Sequence, residues 1–453
     1  MYSKIIKNIF FPIYQMRIPR EERYIPYLKL LNKTQWWSRD ELEKFQLKKL
    51  KKILKHANEN VPFYHEIFRK YNFNPENVSN VNDLKILPIL TKDIIKNNFD
   101  NLYARNYPKE KLILSSTSGS TAAPMKFYID AKWRACNLAA AYREWSWAGY
   151  NLGDKILSLW GVESDFSGTR KIDKIREFLL RKKSLGAINL TDENMAVYTE
   201  VMNNFKPKII HSYASVIYLY SEYLKRNGIQ TFKPDAILTT ADMIYPNQRK
   251  TIEEVLNCEV FDFYSGRETS FQAAECSKHT GYHMSIENAV VEFISDDEPV
   301  SPGETGKLII TDLSNYAMPF IRYEIGDLGI PTDENCPCGR NLPLIKSIKG
   351  RIFDFIITPE GKRISGEYFH LIIIEYNIQG IKEFQIVQES MNKIIAYIVP
   401  NQNEKTEDIN RFIDIIRKEF GDKVEIELKI VTSIKRTSSG KLRHVISNVS
   451  ALN

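Results

Sequence analysis

Residues 115–127 read SSTSGSTAAPMKF, with the apolar triplet Leu112-Ile113-Leu114 before them and Phe127-Tyr128-Ile129 closing them. The two apolar runs predict short strands, and the small hydroxyl residues around Gly119 predict the turn between them. Such a turn offers several backbone N–H groups and hydroxyls to one small anion. Lys126, just past Pro124, adds a point charge suited to phosphate. The common GxxxxGK[ST] phosphate loop is absent. Alone, the stretch reads equally as an anion cradle or as a polar surface turn.

Outward from this turn, residues 110–320 alternate. Short β-rich runs (KLILSS, KILSLW, PKIIHSY, DAILTTA, EVFDFYS) are separated by helical stretches such as SVIYLYSEYLKRNG and YPNQRKTIEEVLN. That order predicts an α/β domain with a largely parallel sheet. VVEFISDDEPVSPGETGKLIITDLSN, with an acidic turn and a Pro-Gly turn, predicts an antiparallel part. Upstream, SRDELEKFQLKKLKKILKHANEN puts Leu42, Phe45, Leu50 and Leu54 on one helix face, with Ser38 as N-cap and Glu41 three places on. VPFYHEIF opens a second helix behind its proline. TRKIDKIREFLLRKKS (169–184) reads as a basic, solvated helix face. After residue 350 a hairpin, a helical run, two strands, a helix and a last strand (VEIELKIV) predict a small α+β domain.

The 453 residues exceed what one compact core holds. The expected division is 1–349, with a helical region 1–105 inside it, and 350–453. A formal charge of +7 suits an anionic small molecule and is too weak to argue for nucleic acid. The N-terminal MYSKIIKNIFFPIYQMRIPREER is broken by Lys7, Asn8 and Pro12. It reads as an amphipathic element, not a signal peptide or span, and leaves weak membrane-surface association open. No stretch approaches ~18 uninterrupted apolar residues. These features predict a cytoplasmic protein without a transmembrane segment.

SSTSGSTAAPMK closely resembles the phosphate loop of adenylate-forming enzymes. Four further stretches resemble that superfamily's motifs, in its order: DFYSGRETS (262–270), IRYEIGDLG (321–329), KGRIFDFI (349–356) and KRTSSGKLRH (435–444). The closest likeness is to the phenylacetate–CoA ligase-like branch, including its members from capsule and surface-polysaccharide gene clusters. The segment from WWSRDELEKF onward, ECSKHTGYHMSIE and CPCGRNLP carry that branch's look.

The resemblance implies a large adenylation domain with a small mobile C-terminal domain, and a carboxylate activated by ATP as acyl-AMP with release of pyrophosphate. Ser115, Ser116, Thr117, Ser118, Gly119, Ser120, Thr121 and Lys126 would hold the phosphates. Glu268 would bind Mg²⁺, Asp327 the ribose hydroxyls, and Tyr264 would lie near adenine or the acyl group. Lys441 would stabilise charge at the reacting carboxylate and α-phosphate. Arg351 would contact the nucleotide at the domain junction. Ser265 and Arg267 replace the usual Gly and Thr or Ser of their motif, and Ala241-Asp242 is a poor match to the adenine-side Gly-Glu. Phe353 stands at the hinge position, which leaves the domain rotation open.

Cys276, Cys336 and Cys338, with His279 or His283, suit a closed tetrahedral zinc site. The branch includes zinc-bearing members, and the resemblance favours His283. Cys136 and Cys258 read as packing residues. The resulting expectation is an AMP-forming ligase joining a small carboxylic acid to CoA or to an amine, the latter in surface-polysaccharide biosynthesis. A nucleotidyltransferase that only adenylylates a small molecule, and a non-catalytic scaffold, are the alternatives. Neither the acid nor the oligomeric state is legible in the sequence.

Overall fold

The computed structural model describes residues 19, 22–117, 125–160, 180–187, 191–351, 355–359, 363–365, 369, 372–373, 376, 378–401, 406–421, 423–436 and 442–449. Helices α1 (Ile25–Thr34), α2 (Arg39–Asn60) and α3 (Pro62–Lys70) come first. Ser38 and Glu41 close a reciprocal cap on α2: the Glu41 N–H donates to Ser38 Oγ at 3.3 Å, and the Ser38 N–H donates to Glu41 Oε2 at 2.9 Å. Leu42, Leu50, Ile53 and Leu54 are fully buried. Phe45 is only half-buried and meets Trp37 edge-on, so Gln46 and Ile53 complete the inner face in its place. Pro62 opens α3 at a position where no helical N–H is lost.

Next come α4 (Lys92–Asn97), α5 (Phe99–Leu102), a separate antiparallel hairpin of β1 (Ile113–Ser116) and β2 (Lys126–Ile129), and α6 (Ala131–Trp147). The chain then builds β3 (Ile156–Leu159), β4 (Lys182–Leu185), α7 (Asp192–Phe205), β5 (Ile209–Tyr213), α8 (Ala214–Arg226), β6 (Ala236–Thr240), α9 (Pro246–Leu256) and β7 (Glu259–Ser265). Strands β8 (Gln272–Ala274), β9 (Tyr282–Met284), β10 (Ala289–Ser295), β11 (Glu298–Pro299), β12 (Gly306–Asp312), β13 (Tyr323–Thr332) and β14 (Leu344–Arg351) follow. One sheet takes the order β11-β10-β12-β13-β14-β9-β8-β7-β6-β5-β3-β4. Neighbours from β4 to β7 are parallel, and those from β7 to β11 antiparallel.

The mixed α/β class is as the alternation predicts. The antiparallel part runs further than the acidic-turn segment, because β8, β9 and the long β13–β14 pair join the same sheet. The end of the expected basic helix is corrected: Lys182 and Lys183 lie in β4, exposed on the sheet edge, where charge discourages further strand pairing. Residues 169–179 of that helix lie outside the described residues.

Further along, β15 (Phe355–Ile357) and β16 (Arg363–Ser365) pair as a hairpin. Strands β17 (Ile381–Ser390) and β18 (Lys393–Pro400), helix α10 (Thr406–Phe420), and strands β19 (Glu425–Ile430) and β20 (Val445–Ser447) form a sheet of order β19-β18-β17-β20 with its covering helix. Ile409, Phe412, Ile413, Ile416 and Phe420 fall at helical spacing and are buried. Each contributes about 1.5–3 kcal/mol of apolar burial. The sequence expectation missed β20, which is too short for its period to speak.

A buried ionic cluster ties α6 to the residues entering β10. Arg143 donates to Glu287 Oε1 at 2.6 Å and to Ser285 Oγ at 3.0 Å, and Thr34 of α1 donates to the same Glu287 oxygen at 2.6 Å. Burial, offset in part by Arg143 and Ser285, pushes the Glu144 carboxyl from its ordinary 4.5 up to about 7. A folded-state pKa above the unfolded one makes stability greatest in acid and lost as pH rises through that window. Glu144→Gln should therefore remove about 3 kcal/mol of pH-dependent loss between pH 4.5 and 7 relative to the parent. Denaturation profiles of the two proteins across this range check it, and parallel profiles would contradict it.

Candidate active site and metal centre

The Ser/Thr-rich turn sits on the β1–β2 hairpin, whose register pairs Ser115 with Phe127 and Ser116 with Lys126. Its base is closed by two hydrogen bonds, Thr117 N–H to Met125 O and Met125 N–H to Thr117 Oγ1, each 3.0 Å. Ser116 and Lys126 are exposed together at that base. Ser118, Gly119, Ser120 and Thr121 lie outside the described residues.

Tyr264 leaves the end of β7 and donates its hydroxyl to Asp327 Oδ2 at 2.6 Å, although the two residues are far apart in sequence. Asp327 lies within β13 beside Gly326, whose φ of +91° is left-handed. In register its partner is Arg351, at the end of β14. After β7 the chain makes a close turn. A Cβ on Gly266 would stand 2.7 Å from Ile325 Cδ1, so a larger residue there would have to displace the tip of that side chain on β13. Glu268 is buried in this turn at 8% exposure, and Thr269 Oγ1 beside it is buried without a partner. No helix starts there. Ser265 and Arg267 are exposed on its rim.

Asp312, at the end of β12, joins this turn to the hairpin. Its carboxylate accepts from Ser270 N–H (2.6 Å), Ser270 Oγ (3.0 Å), Trp133 Nε1 (2.9 Å), Ser314 N–H (2.7 Å) and Asn315 N–H (3.1 Å). Asn315 in turn donates its amide to Tyr128 O on β2 at 2.9 Å. Residues of the hairpin, the 262–270 turn and β13 thus meet through Asp312, Asn315 and the Tyr264–Asp327 bond. Sequence reasoning missed Asp312 and Asn315, because nothing local in TDLSN distinguishes a hub from a turn.

Ala241 leaves β6 with φ +74°, an uncommon state for a residue with a Cβ. Asp242, in the loop after β6, accepts from the N–H groups of Ala214 (2.9 Å) and Ser215 (3.1 Å), so it caps α8 from another part of the chain. In IRYEIGDLG, Arg322 turns to Glu292 (3.2 Å) and Lys85 O (3.1 Å), fastening residues 85–90 to the start of β13. Lys441 and Phe353 lie outside the described residues. The flanks of Lys441 are anchored: Arg436 pairs with Glu383 at 2.8 Å, and Ile386 N–H donates to His444 O at 2.8 Å.

Cys276, His283, Cys336 and Cys338 offer ligand atoms that all lie within 4.8 Å of one another. Cys276 Sγ is 3.6 Å from Cys336 Sγ, and Cys338 Sγ is 3.3 Å from His283 Nε2. A tetrahedral zinc with three thiolates and an imidazole has edges of about 3.5–3.8 Å, so the set fits that ion. Burial and the Arg340 charge push the His283 pKa down to about 4, leaving the neutral imidazole a ligand needs. His279 points elsewhere, 3.2 Å from Glu275 Oε2 and against Phe261. Cys258 is driven up to about 12 by burial and, like the buried Cys136, stands apart from this cluster. Among the described residues no helix is long and apolar enough to cross a membrane.

Residues 356–448 match the CapK C-terminal domain family. Protein CapK of Staphylococcus aureus is 27% identical over 423 residues, covering 90% of either chain. The phenylacetate–coenzyme A ligase of Pseudomonas putida is 24% identical over 449 residues, covering 92% of this chain and 96% of its own. Among solved structures, 2-hydroxyisobutyryl-CoA ligase in its postadenylation state superposes with a TM-score of 0.71 at 21% identity, over 91% of both chains. The same enzyme in its thioesterification state gives 0.61. The resemblance drawn from the five motifs is thereby borne out for the superfamily branch, the fold and the enzyme class, an AMP-forming ligase.

Proposed function

We propose that this chain, whose relatives and fold are those of AMP-forming ligases, activates a small carboxylic acid with ATP and passes the acyl group from acyl-AMP to the thiol of coenzyme A. The observation that carries the reading is the convergence of three distant motifs through Asp312, Asn315 and the Tyr264–Asp327 bond. The likeness to CoA ligases over nine-tenths of the chain supports the choice of acceptor.

In this reading the carboxylate oxygen of the acid attacks the α-phosphorus and pyrophosphate leaves. The acceptor then attacks the acyl carbon and AMP leaves. The hairpin N–H groups and hydroxyls from Ser115 to Thr121, with Lys126, hold the leaving phosphates. Asp327, kept in place by Tyr264, accepts both ribose hydroxyls, while Ala241 and Tyr264 border the adenine. Ser265 and Arg267 lie on the rim facing the α-phosphate, and Arg351 on β14 contacts the nucleotide beside Asp327. Lys441 neutralises charge on the reacting oxygens. Glu268, with the unpartnered Thr269 hydroxyl beside it, presents the hard oxygen ligands that suit Mg²⁺, which supplies charge neutralisation for the phosphates when bound.

Pyrophosphate release from ATP with a panel of acids, with CoA and separately with amines, tests the assignment. Acid-dependent release accelerated by CoA is the expected result. Acceleration by an amine alone would replace the acceptor, and no acid-dependent release with ATP bound would overturn the reading.

We assign the Cys276, His283, Cys336 and Cys338 cluster a structural zinc, since four protein ligands leave no open position for chemistry. Cys336 and Cys338 sit in the β13–β14 connection, so the ion would fasten it to β9. Metal analysis should find one zinc per chain. Cys338→Ser should lose it and cost more than about 3 kcal/mol of stability. A metal-free parent with unchanged melting would contradict this.

A further inference from the structure

Between Glu43 and Glu59 helix α2 carries Lys44, Lys48, Lys49, Lys51, Lys52 and Lys55 and no acidic residue. At 3.6 residues per turn, all but Lys49 fall within about 100° of the helix circumference, along about 16 Å of its axis. Those five are exposed. Lys49 alone turns inward, donating to Glu287 O, and the face of Leu42, Leu50, Ile53 and Leu54 is buried. The lysine row is thus the outer face of a helix whose inner face is packed on the core. Lys55 pairs with Glu59 at 3.9 Å and Glu76 at 3.3 Å. Lys44, Lys48, Lys51 and Lys52 meet no acidic side chain within 4 Å among the described residues.

Like charges three and four places apart weaken a helix, so this row works against the element that carries it. It has the form of a surface for negative charge supplied from outside. Lysine is a compact point charge, without the planar fork by which arginine grips one phosphate or carboxylate. No aromatic or amide side chain stands among the five to read the shape of a single ligand. The match is to a continuous negative surface. Beyond the N-terminal end of α2 the exposed side chains are both basic and apolar. Lys29 and Lys33 are exposed there, with Trp36 53% and Leu30 37% exposed. The Ser38 hydrogen bonds lower the Glu41 carboxyl, and Lys44 and Lys33 lower it further, which puts Lys33 at the same corner as the start of the row. Lysine beside exposed tryptophan is the composition of a membrane–water interface.

We infer that the outer face of α2 docks the protein on the surface of a bilayer rich in anionic lipid, with Lys44, Lys48, Lys51 and Lys52 as the contacts. The attachment is peripheral and electrostatic, because the apolar face of the helix is already buried. This inference does not rest on the ligase reading. A lysine held near an anionic membrane contributes about fivefold in affinity. Salt removes that attraction, since the screening length falls from about 10 Å at 0.1 M to 3 Å at 1 M.

Sedimentation of the full chain with vesicles tests this. One set holds phosphatidylglycerol and phosphatidylcholine in equal parts, the other phosphatidylcholine alone. The expected result at low salt is binding to the anionic set about tenfold or more tighter than to the neutral set, lost at 1 M salt. Replacing Lys44, Lys48, Lys51 and Lys52 together by glutamine, which suits a helix equally well, should weaken it about tenfold or more. Replacing the same four by arginine should leave it within about twofold, which separates loss of charge from loss of fold. Glutamine at the exposed Lys225, Lys250, Lys278 and Lys418 makes the same change in net charge elsewhere and should also leave binding within about twofold. No binding to anionic vesicles, equal binding to both sets, or equal loss in the two glutamine variants would overturn the inference. Binding to RNA or to polyglutamate without binding to vesicles would overturn it in favour of another partner.

Discussion

Asp312→Ala should destabilise the chain by more than about 4 kcal/mol, the largest stability loss expected of a single substitution in the site region. Five donors converge on this carboxylate at 2.6–3.1 Å: Trp133 Nε1, both donors of Ser270, and the N–H groups of Ser314 and Asn315. The carboxylate is fully buried, so water cannot replace it. Alanine leaves each of those groups to bear a desolvation cost of about 1 kcal/mol or more. Asp312→Asn keeps one acceptor oxygen but turns an amide N–H toward donors, and should fall between. Urea midpoints at constant slope measure all three proteins. A loss below about 1 kcal/mol for alanine would show that the five bonds are not made in solution.

The largest catalytic loss is expected for Lys441→Ala, on the order of 10²–10³ in the rate of adenylation. The lysine lies outside the described residues, but the segments on either side of it are held. Arg436 pairs with Glu383 of β17, and β20 runs parallel to β17 from Val445 onward. Removing the side chain should leave this frame intact while removing the charge. ATP binding should therefore change little, and the effect should fall on kcat for pyrophosphate release. Lys441→Arg keeps the charge with a different reach and should recover part of the rate. An alanine variant with unchanged kcat would assign the residue no part in the chemistry.

How much of this was legible follows from the range of the forces involved. The α2 cap was readable because Ser38 and Glu41 meet within one turn, and β5 to β7 because their apolar runs are continuous. Phe45 was misjudged because spacing alone cannot say which flank of a helix stripe meets solvent. The strand at Lys182–Leu185 was hidden by lysines that serve an edge as readily as a helix. In the site, motif order brought out Tyr264, Glu268 and Asp327, but nothing local could reveal that Tyr264 donates to Asp327. Asp242, Asp312 and Asn315 act on partners in other elements, so their roles appear only once the sheet is assembled.

Isotope transfer addresses the central claim most directly. The chain is supplied with ATP, Mg²⁺, the acceptor and a substrate acid labelled with oxygen-18 in its carboxylate, and the AMP is analysed by mass. Activation through acyl-AMP carries one carboxylate oxygen into the phosphate of AMP, so the account predicts singly labelled AMP in step with product. Unlabelled AMP, or label found in inorganic phosphate, would contradict carboxylate adenylation as the reaction of this chain.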